Sequence, residues 1–214
     1  MLKANSISHS FDYLLFSDIN LEVKPKDKIA IIGSSGSGKS TLLHILSSFL
    51  KPDSGEVIFK GKNLYHLSEK ELINIRKKEI GIIFQFHYLF STFTALENIE
   101  VASLLSNQEI DYSILKRLNI EKVLNQNIQT LSGGEQQRVS IARVLMKKPS
   151  IIFADEPTGN LDKDNAYEVI DILQEYCDKY NASLIIVTHD LELSKKFDKI
   201  YELKDKKLVE NGDS

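Results

Sequence analysis

Lys39 and Ser40 close the run Gly33-Ser34-Ser35-Gly36-Ser37-Gly38-Lys39-Ser40, with Thr41 next. Residues of these types at this spacing handle phosphate. Glycines let backbone N–H groups turn inward around phosphate oxygens with no Cβ in the way. The Lys39 ammonium can reach β- and γ-phosphates, and the Ser40 hydroxyl can ligate Mg²⁺. The pattern has this meaning only between a strand and a helix. Lys28–Ile32 is an apolar run that predicts a buried strand. Lys39 to Phe49 predicts a helix with Leu42, Leu43, Leu46 and Phe49 on its inner side. That order sets phosphate at a helix N-terminus and makes the run a P-loop.

A pair of carboxylates supplies the second piece of chemistry. Ser150 to Ala154 is apolar, as expected for a strand inside a parallel sheet, and it runs straight into Asp155 and Glu156. Open α/β sheets place ligands at the carboxyl ends of their strands. Asp155 is then suited to hold Mg²⁺ through water, and Glu156 to polarise an attacking water. On their own these two acids would read as a solvated turn; the P-loop upstream reverses that reading.

Ser132-Gly133-Gly134 precedes a helical pattern with Val139, Ala142 and Leu145 among its apolar positions. Ser132 can cap that helix, and the glycines expose its first N–H groups. This is a second anion site on one chain. One nucleotide does not easily use both sites of one subunit, so the expectation is a dimer in which each subunit lends this helix end to the other's nucleotide.

Residues 1 to about 30 predict short strands with turns, including the alternating Leu21–Lys24 and the Lys24–Asp27 turn. Gly55–Phe59 follows a turn signal and predicts another strand. Ile80–Phe84, Ile151–Ala154 and Leu184–Val187 predict a parallel core, and Lys199–Leu203 with Lys207–Glu210 a closing hairpin. Asp164–Tyr180 is amphipathic, and Cys177 falls on its apolar side as a packing residue. The chain has 214 residues, 42% hydrophobic and 27% charged, which suits one domain. Its formal net charge of −3 offers no basic field, so no nucleic-acid partner is expected. No apolar run approaches the roughly 20 residues of a membrane span. The first residues lack the apolar core of a signal peptide, and a lone cysteine suits a reducing compartment.

With these motifs in this order, the chain resembles the ATP-binding subunits of ABC transporters over nearly its whole length. Gln85, after Ile80–Phe84, matches the Q-loop. Leu131-Ser132-Gly133-Gly134-Glu135 matches the signature, with Glu135 where many relatives carry Gln. Ile151–Glu156 matches Walker B, Gly159–Asp162 the D-loop, and His189, after Ser183–Thr188, the switch histidine. The resemblance implies an α/β fold, a P-loop NTPase core of ABC type with an N-terminal antiparallel β subdomain and a helical subdomain. It implies one domain over 1–214, with the helical subdomain at about 86–147 between Q-loop and Walker B. It implies ATP and Mg²⁺ as cofactors, the metal held by Ser40, Gln85 and Asp155. Catalytic roles fall to Glu156, His189, Gln85 and Lys39. Nucleotide contacts fall to Gly33, Ser34, Ser35, Gly36, Ser37, Gly38, Lys39, Ser40, Thr41, Ser132, Gly133, Gly134, Glu135 and Asp162. Phe11 sits best for stacking on adenine, with Tyr13 close enough to serve.

Within the family, Phe84–Phe90 followed by Phe93–Asn98 is similar to the lipoprotein-releasing ATPases, with MacB-type efflux domains and the division protein FtsE as cousins. This implies a homodimer of ATPase subunits working with integral membrane transporter subunits at the cytoplasmic face of a bacterial inner membrane. The aromatics Phe84, Phe86, Tyr88, Phe90 and Phe93 fit either core packing or a groove for a membrane partner. His87 lies beside that groove; His9 and His66 are expected to be solvated.

Overall fold

The computed structural model describes residues 1–159 and 161–211, and the chain divides into two compact units, residues 1–73 with 183–214 and residues 74–182. In the first, β1 (Leu2–Ser10) and β2 (Leu14–Val23) pair antiparallel. Skipping ahead along the chain, β4 (Ser54–Phe59) and the short β5 (Lys62–Asn63) complete an antiparallel sheet in the order β2-β1-β4-β5. The opening strands are longer than the sequence suggests. Register shifts within the β1–β2 pair break up the alternation from which their length would be read.

β3 (Lys28–Ile32) leads through the glycine run into α1 (Lys39–Leu46). β3 runs parallel to β8 (Ser183–Val187) on one side and to β9 (Lys199–Lys204) on the other. β10 (Lys207–Glu210) closes the expected hairpin on β9. α1 ends before Phe49, which is exposed rather than packed on the helix's inner side. The cause is Ser48, whose φ of 69° turns the chain out of the helix. The Tyr65 hydroxyl holds the turn, lying 2.5 Å from the Ile45 carbonyl and 2.6 Å from that of Leu50 and donating to one at a time. His9 is buried, not solvated: the residue is 6% exposed, its ring faces Asp53 at 3.4 Å and stands edge-to-face with Phe11.

α2 (Glu69–Lys78) carries the chain into the second unit. It buries no residue, so no apolar stripe announces it. Acids in its first turn and bases in its last complement the helix dipole instead.

In the second unit β6 (Ile80–Ile83) pairs in parallel with β7 (Ile151–Asp155), residue Ile80 opposite Ile151. Between them lie α3 (Ala95–Ser106), α4 (Tyr112–Arg117) and α5 (Gly133–Leu145). Gly81 permits the close approach of α5, since a Cβ there would sit 2.7 Å from Val144 and 2.9 Å from Pro149. α6 (Lys163–Tyr180) buries Val169, Ile170, Leu173 and Cys177 along its apolar face. In the first unit, α7 (Leu191–Ser194) follows β8.

Candidate nucleotide site

The P-loop is shaped by its own backbone. Gly38 caps α1 at φ 99°, and a Cβ there would lie 2.7 Å from Leu15, so only glycine fits. No side chain caps α1. Its first-turn N–H groups are therefore left for an anion. Lys39, buried but for 7% of its surface, donates to the carbonyls of Gly33 at 2.8 Å and Ser34 at 2.9 Å, drawing the loop over its own ammonium. Ser40 is exposed at the first turn. A cavity of about 500 Å³ opens beside the loop, lined by Tyr13, Leu15, Ser34, Gly36, Ser37 and Lys204 among others. Tyr13 thus meets the cavity at the P-loop, whereas Phe11 stands edge-on to His9 at 4.9 Å; both rings are exposed. His189 lies exposed after β8, followed by Asp190, which caps α7.

In the second unit Asp155 ends β7 almost wholly buried, and Glu156 turns out of the strand at φ 44°. A non-glycine residue held in the left-handed region is strained, and such strain gathers at functional sites. The turn is closed by the Gly159 N–H, which donates to the Glu156 carbonyl at 3.1 Å. Asp162 caps α6 by accepting from the Asn165 N–H at 3.0 Å, and Arg138 of α5 donates to the Asn165 side chain. Asn160, within the D-loop motif, lies outside the described residues.

At the start of α5 the Ser132 side chain accepts from the Glu135 N–H, while the Glu135 carboxylate accepts from the Ser132 N–H at 2.8 Å and hydroxyl at 2.7 Å. This capping box gives the signature's fifth residue a local task that an acid performs well. The two Ser132 hydrogen bonds hold the Glu135 carboxyl below its ordinary pKa. Among the described residues, nothing lies within 4 Å of a Cβ placed on Gly133. Gly133 therefore faces open space, while a Cβ on Gly134 would lie 3.2 Å from Leu161.

Gln85 is exposed after β6, and the segment beyond it is fastened through its backbone. Arg143 donates to the carbonyls of Tyr88 at 2.7 Å and His87 at 3.0 Å. Asn98, fully buried, grips Phe90 by accepting from its N–H at 2.8 Å and donating to its carbonyl at 3.2 Å. The backbone is held while the rings of Phe86, Tyr88 and Phe90 stay outside, 69%, 65% and 49% exposed. Phe86 and Phe90 are therefore not core; Phe84 packs edge-on to Tyr88 at 5.0 Å.

Sequence reasoning passed over Asn98, Gln137 and Arg143. Gln137 carried a readable signal. It occupies the stripe of α5 that continues through Ile141 and Leu145, where a polar residue needs a buried partner.

A P-loop before one helix, a capped and glycine-opened helix end, and an acid pair at a strand's carboxyl end are the parts of an ATP-binding cassette. The family model described as ABC transporter matches residues 16–159, and the chain belongs to that family. It is 44% identical over 199 residues to the lipoprotein-releasing system ATP-binding protein LolD of Buchnera aphidicola subsp. Schizaphis graminum, covering 90% of this chain and 87% of that one. Identity to LolD of Shewanella denitrificans is 38%, over 96% and 93% of the two chains. Among solved structures it is similar to the dimeric post-hydrolysis state of the cassette MJ0796 bound to ADP and Pi, with TM-score 0.90, 32% identity and coverage of 97% and 96%. The chain is thus an ABC ATPase that binds ATP. No described helix is long and apolar enough to cross a membrane.

Proposed function

We propose that this chain is the ATP-hydrolysing subunit of a lipoprotein-releasing transporter. It works as a homodimer on the cytoplasmic face of a bacterial inner membrane, with integral membrane subunits of LolC/LolE type. The single observation that carries the dimeric mechanism is the signature helix end: capped, exposed and open at Gly133. Among the described residues, nothing of its own chain comes within 4 Å of a Cβ placed at Gly133. In this reading α1 and Lys39 hold the phosphates of one ATP, and Ser132, Gly133 and Gly134 approach the ATP of the other subunit.

Glu156 orients and deprotonates the attacking water, and His189 meets the developing charge on the γ-phosphate. Positioning and electrostatics dominate phosphoryl transfer, so little covalent chemistry is asked of the protein. The donor set fits Mg²⁺: Ser40 offers a hydroxyl, Asp155 a buried carboxylate and Gln85 an amide. No cluster of three or more His, Cys, Asp or Glu able to hold a metal occurs among the described residues, so the phosphates would complete the shell. When bound, the metal neutralises phosphate charge. The whole chain, 1–214, serves as one cassette, with helices from about 86 to 147 carrying the partner-facing surface.

The test is reconstitution. The chain is purified with its membrane subunits in proteoliposomes holding a labelled lipoprotein, and release to a soluble carrier is followed. ATP-dependent release that is lost with Lys39→Ala supports the reading. ATP hydrolysis without release, alongside co-purification with a division complex or an efflux pump, would replace it with one of those functions.

A further inference from the structure

α5 does more than present Ser132. One turn in, Gln137 is 2% exposed, and its Nε2 donates to the Pro157 carbonyl at 2.7 Å. Pro157 directly follows Glu156. The Pro157 carbonyl belongs to no strand or helix, so the Gln137 amide satisfies it and holds the exit of the Glu156 turn beside the Gly159 N–H that closes it. The same helix also holds the segment after Gln85. Among the described residues, Gln137 Oε1 and His87 Nδ1 are both buried without a partner in strict hydrogen-bond geometry. Ser140 and Arg143, on the same helix, donate to the His87 carbonyl at 3.3 and 3.0 Å. The helix whose start presents the signature therefore holds the residue after Glu156 through one buried amide, and the segment after Gln85 through Ser140 and Arg143.

We propose that Gln137 is a positioning residue for hydrolysis: it fixes the Glu156 turn and ties that turn to the signature helix. The inference rests on the reading of Glu156 as general base and of α5 as the helix lent across the dimer. If it holds, docking of Ser132 on the partner's nucleotide is felt at the chain's own Glu156 through one side chain. The two ATP sites of the dimer are then coupled through Gln137.

Gln137→Met keeps the volume and removes the amide. Gln137→Glu keeps the shape and an acceptor and loses the N–H toward Pro157. With the assembled transporter, ATP turnover and its dependence on ATP concentration are measured for both, with nucleotide-driven dimer closure scored in a Glu156→Gln background. The expected result is a fall in kcat of about tenfold or more in both variants, with KM and closure within about twofold of the parent and cooperativity between sites reduced. Turnover within twofold in either variant overturns the proposal. So does a parallel loss of KM, closure and thermal stability, which marks Gln137 as packing only.

Hydrogen exchange on the unsubstituted chain is independent of whether the variants fold. On closure, segment 158–162 should slow together with the start of α5, and slowing of α5 alone contradicts the coupling. Absence of ATP hydrolysis in the parent would instead sink the ATPase reading itself.

Discussion

Ser132 and Glu135 hold each other at the start of α5, each accepting a hydrogen bond from the other's backbone N–H. Glu135→Ala should lower stability by about 0.5–2 kcal/mol, and Glu135→Gln, which can still close the box, by less. The carboxyl's folded pKa is depressed by Ser132. Its stabilisation is therefore present above the unfolded-chain value near 4.3 and is lost as pH falls through the folded value. Unfolding curves at pH 7 and below pH 4 should show the Glu135→Ala penalty shrinking in acid. A penalty that is flat with pH would mean that the charge is irrelevant.

Glu156→Gln should keep ATP binding, lose hydrolysis by about a hundredfold or more and hold the dimer closed. The φ of 44° is a backbone property, so the turn should survive the change. Single-turnover phosphate release in the assembled transporter checks this, and near-parental turnover would remove Glu156 from the role of base.

Phe86, Tyr88 and Phe90 are exposed on a backbone clamped by Arg143 and Asn98. Replacing each by Ala should leave folding and ATP binding intact, and at least one replacement should release the membrane subunits. An aromatic anchor is commonly worth about 2 kcal/mol. Pull-down from detergent decides it: if all three variants retain the partner fully, these rings do not dock it.

Lys147 donates to the carbonyls of Arg76 at 2.8 Å and Ile80 at 2.7 Å, and burial with Arg143 nearby lowers its pKa to about 8. Between about pH 8 and the unfolded-chain value near 10.4, the unfolded chain binds more protons, so this residue adds stability as pH rises. Urea unfolding at pH 8 and pH 10 should show that rise in the parent relative to Lys147→Met. An identical pH dependence in the two would show that the lysine is not desolvated.

What the sequence makes legible here is periodic or locally chemical. β3, β7 and β8 are continuous apolar runs, and each forms close to where its run lies. Ser132 is legible as a cap because capping needs only nearest neighbours in sequence. α2 is not, since it buries nothing and its charges suit a loop equally well. His9 meets Asp53, more than forty positions away in sequence. The clamps of Asn98 on Phe90 and of Arg143 on Tyr88 likewise depend on where α3 and α5 come to rest. Local pattern carries no such information.

Each ATP site of the proposed dimer is shared between two subunits. The measurement is nucleotide binding by the closed mixed dimer built from one Lys39→Ala chain and one Ser132→Arg chain. If the signature helix of one chain serves the P-loop of the other, both lesions fall in the same site and one intact site remains. That dimer should then bind more ATP than one carrying both lesions on a single chain, where each site is damaged. Equal binding by the two arrangements would contradict sharing and, with it, this account of the chain as a two-site dimeric ATPase.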